Sequence, residues 1–220
     1  MKSMNRRSMV ALLGTAPLVG GVLAVGEALA QTPVSGSRFK NIEPRERIRQ
    51  RYFPDLVLTT HEGKKVRLYD DLVKDKIVII NFMYARCEGV CPPITANLVK
   101  VQKLLGDRLG RDIFMLSFTL KPEQDTPEVL KRYADTYKTR PGWTFVTGAP
   151  ADMETIRRNL GFTDPDPARD ADKTNHIGNI AYGNEPLLRW GVAPGMSKPD
   201  WIVKMVSWVD WPKNAKGERI

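Results

Sequence analysis

Cys87 and Cys91 are the only cysteines in a chain of 220 residues, and both lie in the stretch NFMYARCEGVCPP, Asn81 to Pro93. Glu88, Gly89 and Val90 separate them. Two side chains four positions apart can meet on one face of a turn or helix. Sulfurs placed this way can serve as a structural staple, as a redox couple, or as two donors to one metal ion. The staple is the weakest reading, because closing so short a loop removes little chain entropy. A chain of this length also builds a core without it. Among ions, two thiolates suit a soft metal, above all Cu(I). Zinc ranks below copper, since a closed zinc site takes four protein ligands. Only His61 and His176 can add a nitrogen donor. His61 sits at the tip of TTHEGKK beside Glu62-Gly63, where an exposed turn residue is expected. His176 ends a long polar loop, in KTNHIGNIAYGN, just before an apolar run.

The surrounding elements decide whether these groups can meet. FPDLVLTTHEGKKVRLYDDL reads as a β-hairpin, with Leu56 and Leu58 on one strand, Val66 and Leu68 on the next, and the turn at Glu62-Gly63. Ile77 to Phe82 is a continuous, β-branched apolar run, expected as a strand buried on both faces. After the cysteines, Pro92 or Pro93 opens a helix in which Leu98, Val101, Leu104 and Leu105 recur at helical spacing. DIFMLSFTL is a second buried strand. Thr126 is an N-cap with Pro127 at N1 of a helix through Tyr137. WTFVTG is a short strand, and ADMETIRRNLG is a helix stopped by Gly161. Pro165 to Asn175 reads as a polar loop. GNIAYGN and EPLLRWG read as a hairpin joined near Gly183-Asn184, and PDWIVKMVSWV as the last helix. On that helix Trp201, Met205 and Trp208 fall at helical spacing and are expected in the core. Met83, Met115 and Met153 are dispersed and read as gap fillers.

This order predicts an α/β fold with a central mixed sheet flanked by helices and an N-terminal β-hairpin. A cysteine pair directly after the first buried strand, at the start of the first long helix, is the thioredoxin arrangement. The helix start offers unpaired N–H groups and the positive end of the macrodipole, which favour thiolate over thiol. Arg86, next to Cys87, is expected to add to this. Redox thioredoxins put two residues between their cysteines and a cis proline on the facing loop. Here there are three, and no proline lies between Pro167 and Pro186. His176 takes that place, on a loop expected to face the helix start, and so becomes the third candidate ligand.

The first thirty residues read as an export signal rather than fold. Lys2, Arg6 and Arg7 precede an apolar run from Met9 to Gly26, and Ala28-Leu29-Ala30 is a small-x-small cleavage pattern. The adjacent arginines fit the twin-arginine route. The rival reading is a retained membrane anchor, for which the run is marginal in length. Export places the cysteines in an oxidising compartment, periplasmic or membrane-anchored, where free thiols need a reductant. Cleavage after Ala30 lowers the formal charge from +9 to +7, since three cations and one anion leave. No basic block interleaved with aromatics appears, so nucleic acid is not an expected partner. PRERIRQRY, Pro44 to Tyr52, reads as a solvated lead-in. The expected organisation is a signal at 1–30, a lead-in at 31–52, one domain at 53–212 and a tail at 213–220.

FMYARCEGVCPP, TLKPEQDTPEVLKRYA and His176 before IGNIAY together resemble the Sco/SenC family over about residues 53 to 210. The resemblance implies an exported or membrane-tethered thioredoxin-like protein holding one copper ion, Cu(I) or Cu(II), through Cys87, Cys91 and His176. It implies copper delivery to the dinuclear copper centre of cytochrome c oxidase, or reduction of the thiols that form it. An oxidase subunit and a thiol reductant protein are the implied partners. Some members look more like thiol–disulfide oxidoreductases or redox sensors, so a Cys87–Cys91 redox pair that carries no metal is the alternative. The chain departs from the family pattern at Ala85 (usually Thr), Glu88 (usually Pro), Lys121 (usually Asp), and at Asn175 and Ile177, where Asp and Ser usually flank the histidine.

Overall fold

Strand β3, Ile77–Met83, is the axis of the molecule, and all seven of its residues are buried. In this computed structural model, which describes residues 42–173 and 178–211, β3 lies inside a seven-stranded mixed sheet. The other strands are β1 (Val57–Thr60), β2 (Lys65–Arg67), β4 (Ile113–Thr119), β5 (Trp143–Thr147), β6 (Asn179–Asn184) and β7 (Arg189–Pro194). Their order is β2-β1-β5-β4-β3-β6-β7. β3, β4 and β5 run parallel, and β1, β6 and β7 join antiparallel. The helices are α1 (Pro44–Tyr52), α2 (Cys91–Leu105), α3 (Pro127–Thr136), α4 (Pro150–Asn159), α5 (Pro167–Ala171) and α6 (Pro199–Trp208). This is the α/β architecture expected from the alternation of elements.

The period of two along β3 divides the core. Ile77, Ile79 and Met83 face one layer with Leu98 and Val101 of α2 and Ile202 and Val206 of α6. Val78, Ile80 and Phe82 face the other, with Phe53, Met153 and Ile156. A buried polar ladder crosses three strands: the Trp143 indole donates to Ser117 Oγ (2.9 Å), which donates to Asn81 Oδ1 (2.7 Å). The β1–β2 hairpin forms in the expected register, with Leu58 opposite Val66 and Gly63 in the turn at φ +77°. Thr126 caps α3 by accepting from the Val129 N–H.

Several expectations need correction. Pro44 to Tyr52 is a helix rather than a solvated lead-in. Arg45 fixes it through a bidentate pair with the buried carboxylate of Glu185 (2.7 and 2.5 Å), a partner 140 positions away that no local pattern reveals. Within the expected loop Pro165 to Asn175, Asp166 caps the short helix α5. The β6–β7 turn lies at Glu185 to Leu188, not at Gly183-Asn184. Gly183 is a strand residue opposite Trp190, and Leu188 supplies the turn's positive φ of +54°. Trp201 and Trp208 are 51% and 60% exposed, and Leu104 is 56% exposed. α6 instead buries Ile202 and Val206, each one residue on from Trp201 and Met205, and leaves Met205 partly buried, because its apolar stripe is wider than the face that meets α2. Met83, Met115 and Met153 are buried as expected. Among the described residues no helix is long and apolar enough to cross a membrane, and the export segment and the tail from residue 213 lie outside those residues.

Candidate metal centre

β3 delivers its last residue, Met83, to a short connection, Tyr84 to Val90, that ends where Cys91 begins α2. The prolines at 92 and 93 suit this start, because the first helical N–H groups need no intrahelical acceptor. The connection is tightened by a turn from the Cys87 N–H to the Tyr84 carbonyl (3.3 Å). Both sulfurs are therefore carried by rigid parts of the fold. Cys87 and Cys91 are free thiols, only 7% and 2% exposed, and pack with Ile94 and Tyr84. They lie deeper than a loop sequence such as CEGVC indicates, since α2 and the sheet close over them.

The two thiols are not equivalent. Burial pushes Cys87 up. Its sulfur, however, accepts from the Cys91 thiol, from the Cys91 and Gly89 N–H groups and from the Tyr84 hydroxyl, and the net shift is downward. Burial drives Cys91 upward, and donation to Cys87 adds to this. Cys87 is thus the thiol more readily ionised, with Cys91 behind it as a buried reserve. The hydrogen bonds, including the N–H of Cys91 at the helix start, account for this.

The supporting groups come from the β4–α3 loop. The Asp125 carboxylate, 1% exposed, accepts from the Ala85 N–H (3.1 and 3.3 Å) and from the Thr119 hydroxyl (2.5 Å). Burial nonetheless holds its pKa above the ordinary carboxylate value. Asp125 therefore clamps the backbone two residues before Cys87. Lys121 places its ammonium 4.1 Å from the centre of the Tyr84 ring. It packs on the aromatic that hydrogen-bonds Cys87. Tyr84 and Asp125 both stand in the motifs that carried the resemblance. Asp125 reaches Ala85 from 40 positions away, so spacing alone does not expose its role, whereas Tyr84 lies only three positions before Cys87.

The candidate nitrogen donors fare differently. His61 is half-buried rather than an exposed turn residue. Its Nδ1 accepts from the Phe145 N–H (3.2 Å), its ring meets Phe145 edge-on, and burial lowers its pKa. It belongs to the β1–β5 junction, on the far side of the sheet order from β6. His176 lies outside the described residues. Gly178, two residues later, is described: its carbonyl accepts from the Gly195 N–H (2.8 Å), and a Cβ on Gly178 would come within 2.9 Å of Ile94 Cδ1. Asn97 of α2 holds the facing loop through the Gly195 and Ser197 carbonyls (2.9 and 2.7 Å). The start of β6 is thus packed against the first turn of α2, as the sequence implied. Among the described residues no three His, Cys, Asp or Glu side chains converge on one point. The donor set there is two buried soft sulfurs, which fits a soft ion and leaves room for a further ligand.

Comparison with known proteins agrees with this arrangement. The chain is 35% identical over 88 residues to the SCO1 protein homolog of Bacillus subtilis (strain 168), a match spanning 40% of this chain and 44% of that protein. Its fold superposes on Bradyrhizobium japonicum ScoI with copper bound, at a TM-score of 0.56 and 23% identity over 70% of this chain and 96% of the other. It also superposes on BsSco, a member of the Sco family of cytochrome c oxidase assembly proteins with a disulfide switch, at a TM-score of 0.58 and 24% identity over 70% and 90% of the two chains. At these identities the two superpositions speak to the thioredoxin-like fold. The SCO1/SenC family itself matches over residues 44–181, more than half of the chain and both cysteines included, and to that family the chain belongs.

Proposed function

We propose that the chain is an exported copper-binding metallochaperone that takes one copper ion on Cys87, Cys91 and His176. It would deliver this ion to a cuproenzyme centre such as the dinuclear copper site of cytochrome c oxidase. The observation that carries this reading is the hydrogen-bonded pair of buried free thiols at the start of α2. Such a pair offers two soft donors on a rigid support and excludes water. The position of Gly178 against Ile94 supports the third donor. Two residues of chain span at most about 7 Å, and Ile94 is three positions beyond Cys91. Cu(I) needs little beyond the two thiolates, whereas Cu(II) relies more on the imidazole. Binding displaces the two thiol protons, Cys87 first. Transfer then proceeds by exchange of thiolates with the acceptor, and the copper relatives lend this reading its cargo.

The inequality of Cys87 and Cys91 favours a second reading, a thiol–disulfide oxidoreductase. The more acidic Cys87 attacks a partner disulfide. Cys91 then displaces the partner thiol, forms the Cys87–Cys91 disulfide and leaves the partner reduced by two electrons and two protons. Titration of the reduced full chain with Cu(I) and Cu(II), alongside His176→Ala, separates the two. A carrier loses Cu(II) affinity in the variant while its thiol potential stays put. A reductase binds neither ion in a saturable way.

A further inference from the structure

A separate site lies on the opposite face of the sheet from the cysteines. A cavity of about 460 Å³ opens between α1, the end of α4 and the β6–β7 edge. Its walls are apolar, formed by Ile48, Tyr52, Phe53, Leu160, Trp190 and Val192. That volume falls within the roughly 300–1,000 Å³ of small-ligand pockets. Val192, on the edge strand, is 61% exposed and keeps the wall open to solvent.

Two features give the cavity a chemical preference. Arg47 and Arg51, one turn apart on α1, both line it. Arg45 and Arg49 on the same helix are paired with carboxylates. Arg47 and Arg51 have no carboxylate partner among the described residues: Arg47 donates to the Ile42 carbonyl, and Arg51 lies over the Tyr52 ring. The second feature is Trp190. Its six-membered ring sits over Gly183, where a Cβ would come within 2.2 Å of Cε3, and Phe53 stands 5.3 Å away. The ring is therefore held in place and forms a fixed apolar wall of the cavity.

We propose that this cavity binds a single-chain amphipathic carboxylate, with its acyl chain against the apolar wall and its head on the guanidinium groups of Arg47 and Arg51. Apolar burial drives entry of the tail. Unpaired arginines favour a carboxylate, which they bind with two parallel hydrogen bonds.

Calorimetric titration of the full chain with decanoate tests the assignment. One saturable site per chain is expected. Binding should weaken about tenfold in Arg47→Glu/Arg51→Glu, and decanol should bind about tenfold more weakly than decanoate. Trp190→Ala, which removes the aromatic wall, should weaken binding of decanoate severalfold. Thermal midpoints confirm that each variant is folded, and Arg47→Gln/Arg51→Gln replaces the charge reversal if that variant is not. Absence of saturable binding below about 1 mM, equal binding by wild type and arginine variants, or equal binding of decanol overturns the proposal. So does charge-sensitive association with phosphatidylglycerol vesicles in the absence of decanoate binding, which would assign the arginines to a membrane surface.

Discussion

The two ends of β3 each bury a polar cluster, and the clusters are built to opposite effect. At the start of the strand, Glu185 is 1% exposed and fully answered. Burial raises its pKa, but Arg45, the Tyr69 hydroxyl (2.6 Å) and the Asp75 N–H (2.9 Å) together bring it below the ordinary value. At the other end, Cys91 is as deeply buried, and burial pushes its pKa up. Its partner Cys87 is shifted the other way. A buried charge with its full set of donors is inert, because no reaction improves it. A buried pair of thiols with only partial compensation can still gain from a cation or from oxidation. One end of the strand therefore holds the fold and the other holds the chemistry.

Substitutions at each end should reveal that division. Cys87→Ser should weaken copper binding by at least about 100-fold while leaving the urea midpoint nearly unchanged, because serine fits the site. A large loss of stability with copper affinity intact would invert the comparison. Glu185→Ala should lower unfolding free energy by about 2–3 kcal/mol, the expected cost of leaving Arg45 and Tyr69 without their acceptor, discounted because Arg45 is partly exposed. It should leave the alkylation rate of the thiols unchanged.

The two ends should also lose stability at opposite extremes of pH. The folded-state pKa of Glu185 is depressed, so its contribution is present above the unfolded value of about 4.3 and lost as pH falls through the folded value. The Cys91 thiol is raised, so the folded state keeps a proton that the unfolded chain releases. Its contribution is present below the unfolded value of about 8.5 and lost as pH rises toward the folded one. Urea midpoints of the reduced, copper-free chain should therefore decline on both sides. Glu185→Gln should flatten the acid limb and Cys91→Ser the alkaline limb. The smallest effect belongs to Lys121→Gln, which removes the cation over Tyr84 and should cost about 0.5–1 kcal/mol. A Tyr84→Leu background should abolish that cost, and a cost that persists there would place the lysine's role elsewhere.

Local patterns carried much of this molecule. β3 is legible because a run of seven residues that is apolar at every position but Asn81 has few other homes, and the Thr126–Pro127 cap because its hydrogen bond closes within three residues. The hairpin at Gly63 is legible for the same local reason. The failures share a different cause. Trp201 and Trp208 sit on an apolar stripe, but which part of a stripe is covered depends on where α2 lies. The β6–β7 turn moved because Leu188 adopts a positive φ that its residue type disfavours and the hairpin as a whole imposes. PRERIRQRY looks solvated, since its anchor Glu185 is remote in sequence.

By itself the sequence determined the candidate donors: two thiols four positions apart after a buried strand, on a helix opened by prolines, within a recognisable SCO1/SenC chain. Backbone preferences and period-two burial act over a few residues, so they can be read from the residues directly. Only the tertiary structure decided that both sulfurs lie in the core, that Tyr84 and Asp125 support them, and that Cys87 ionises before Cys91. Burial of the sulfurs and the Asp125 clamp need segments that the sheet brings together, while the bonds that set the two thiols apart close within Tyr84 to Cys91 and need that connection folded against the core.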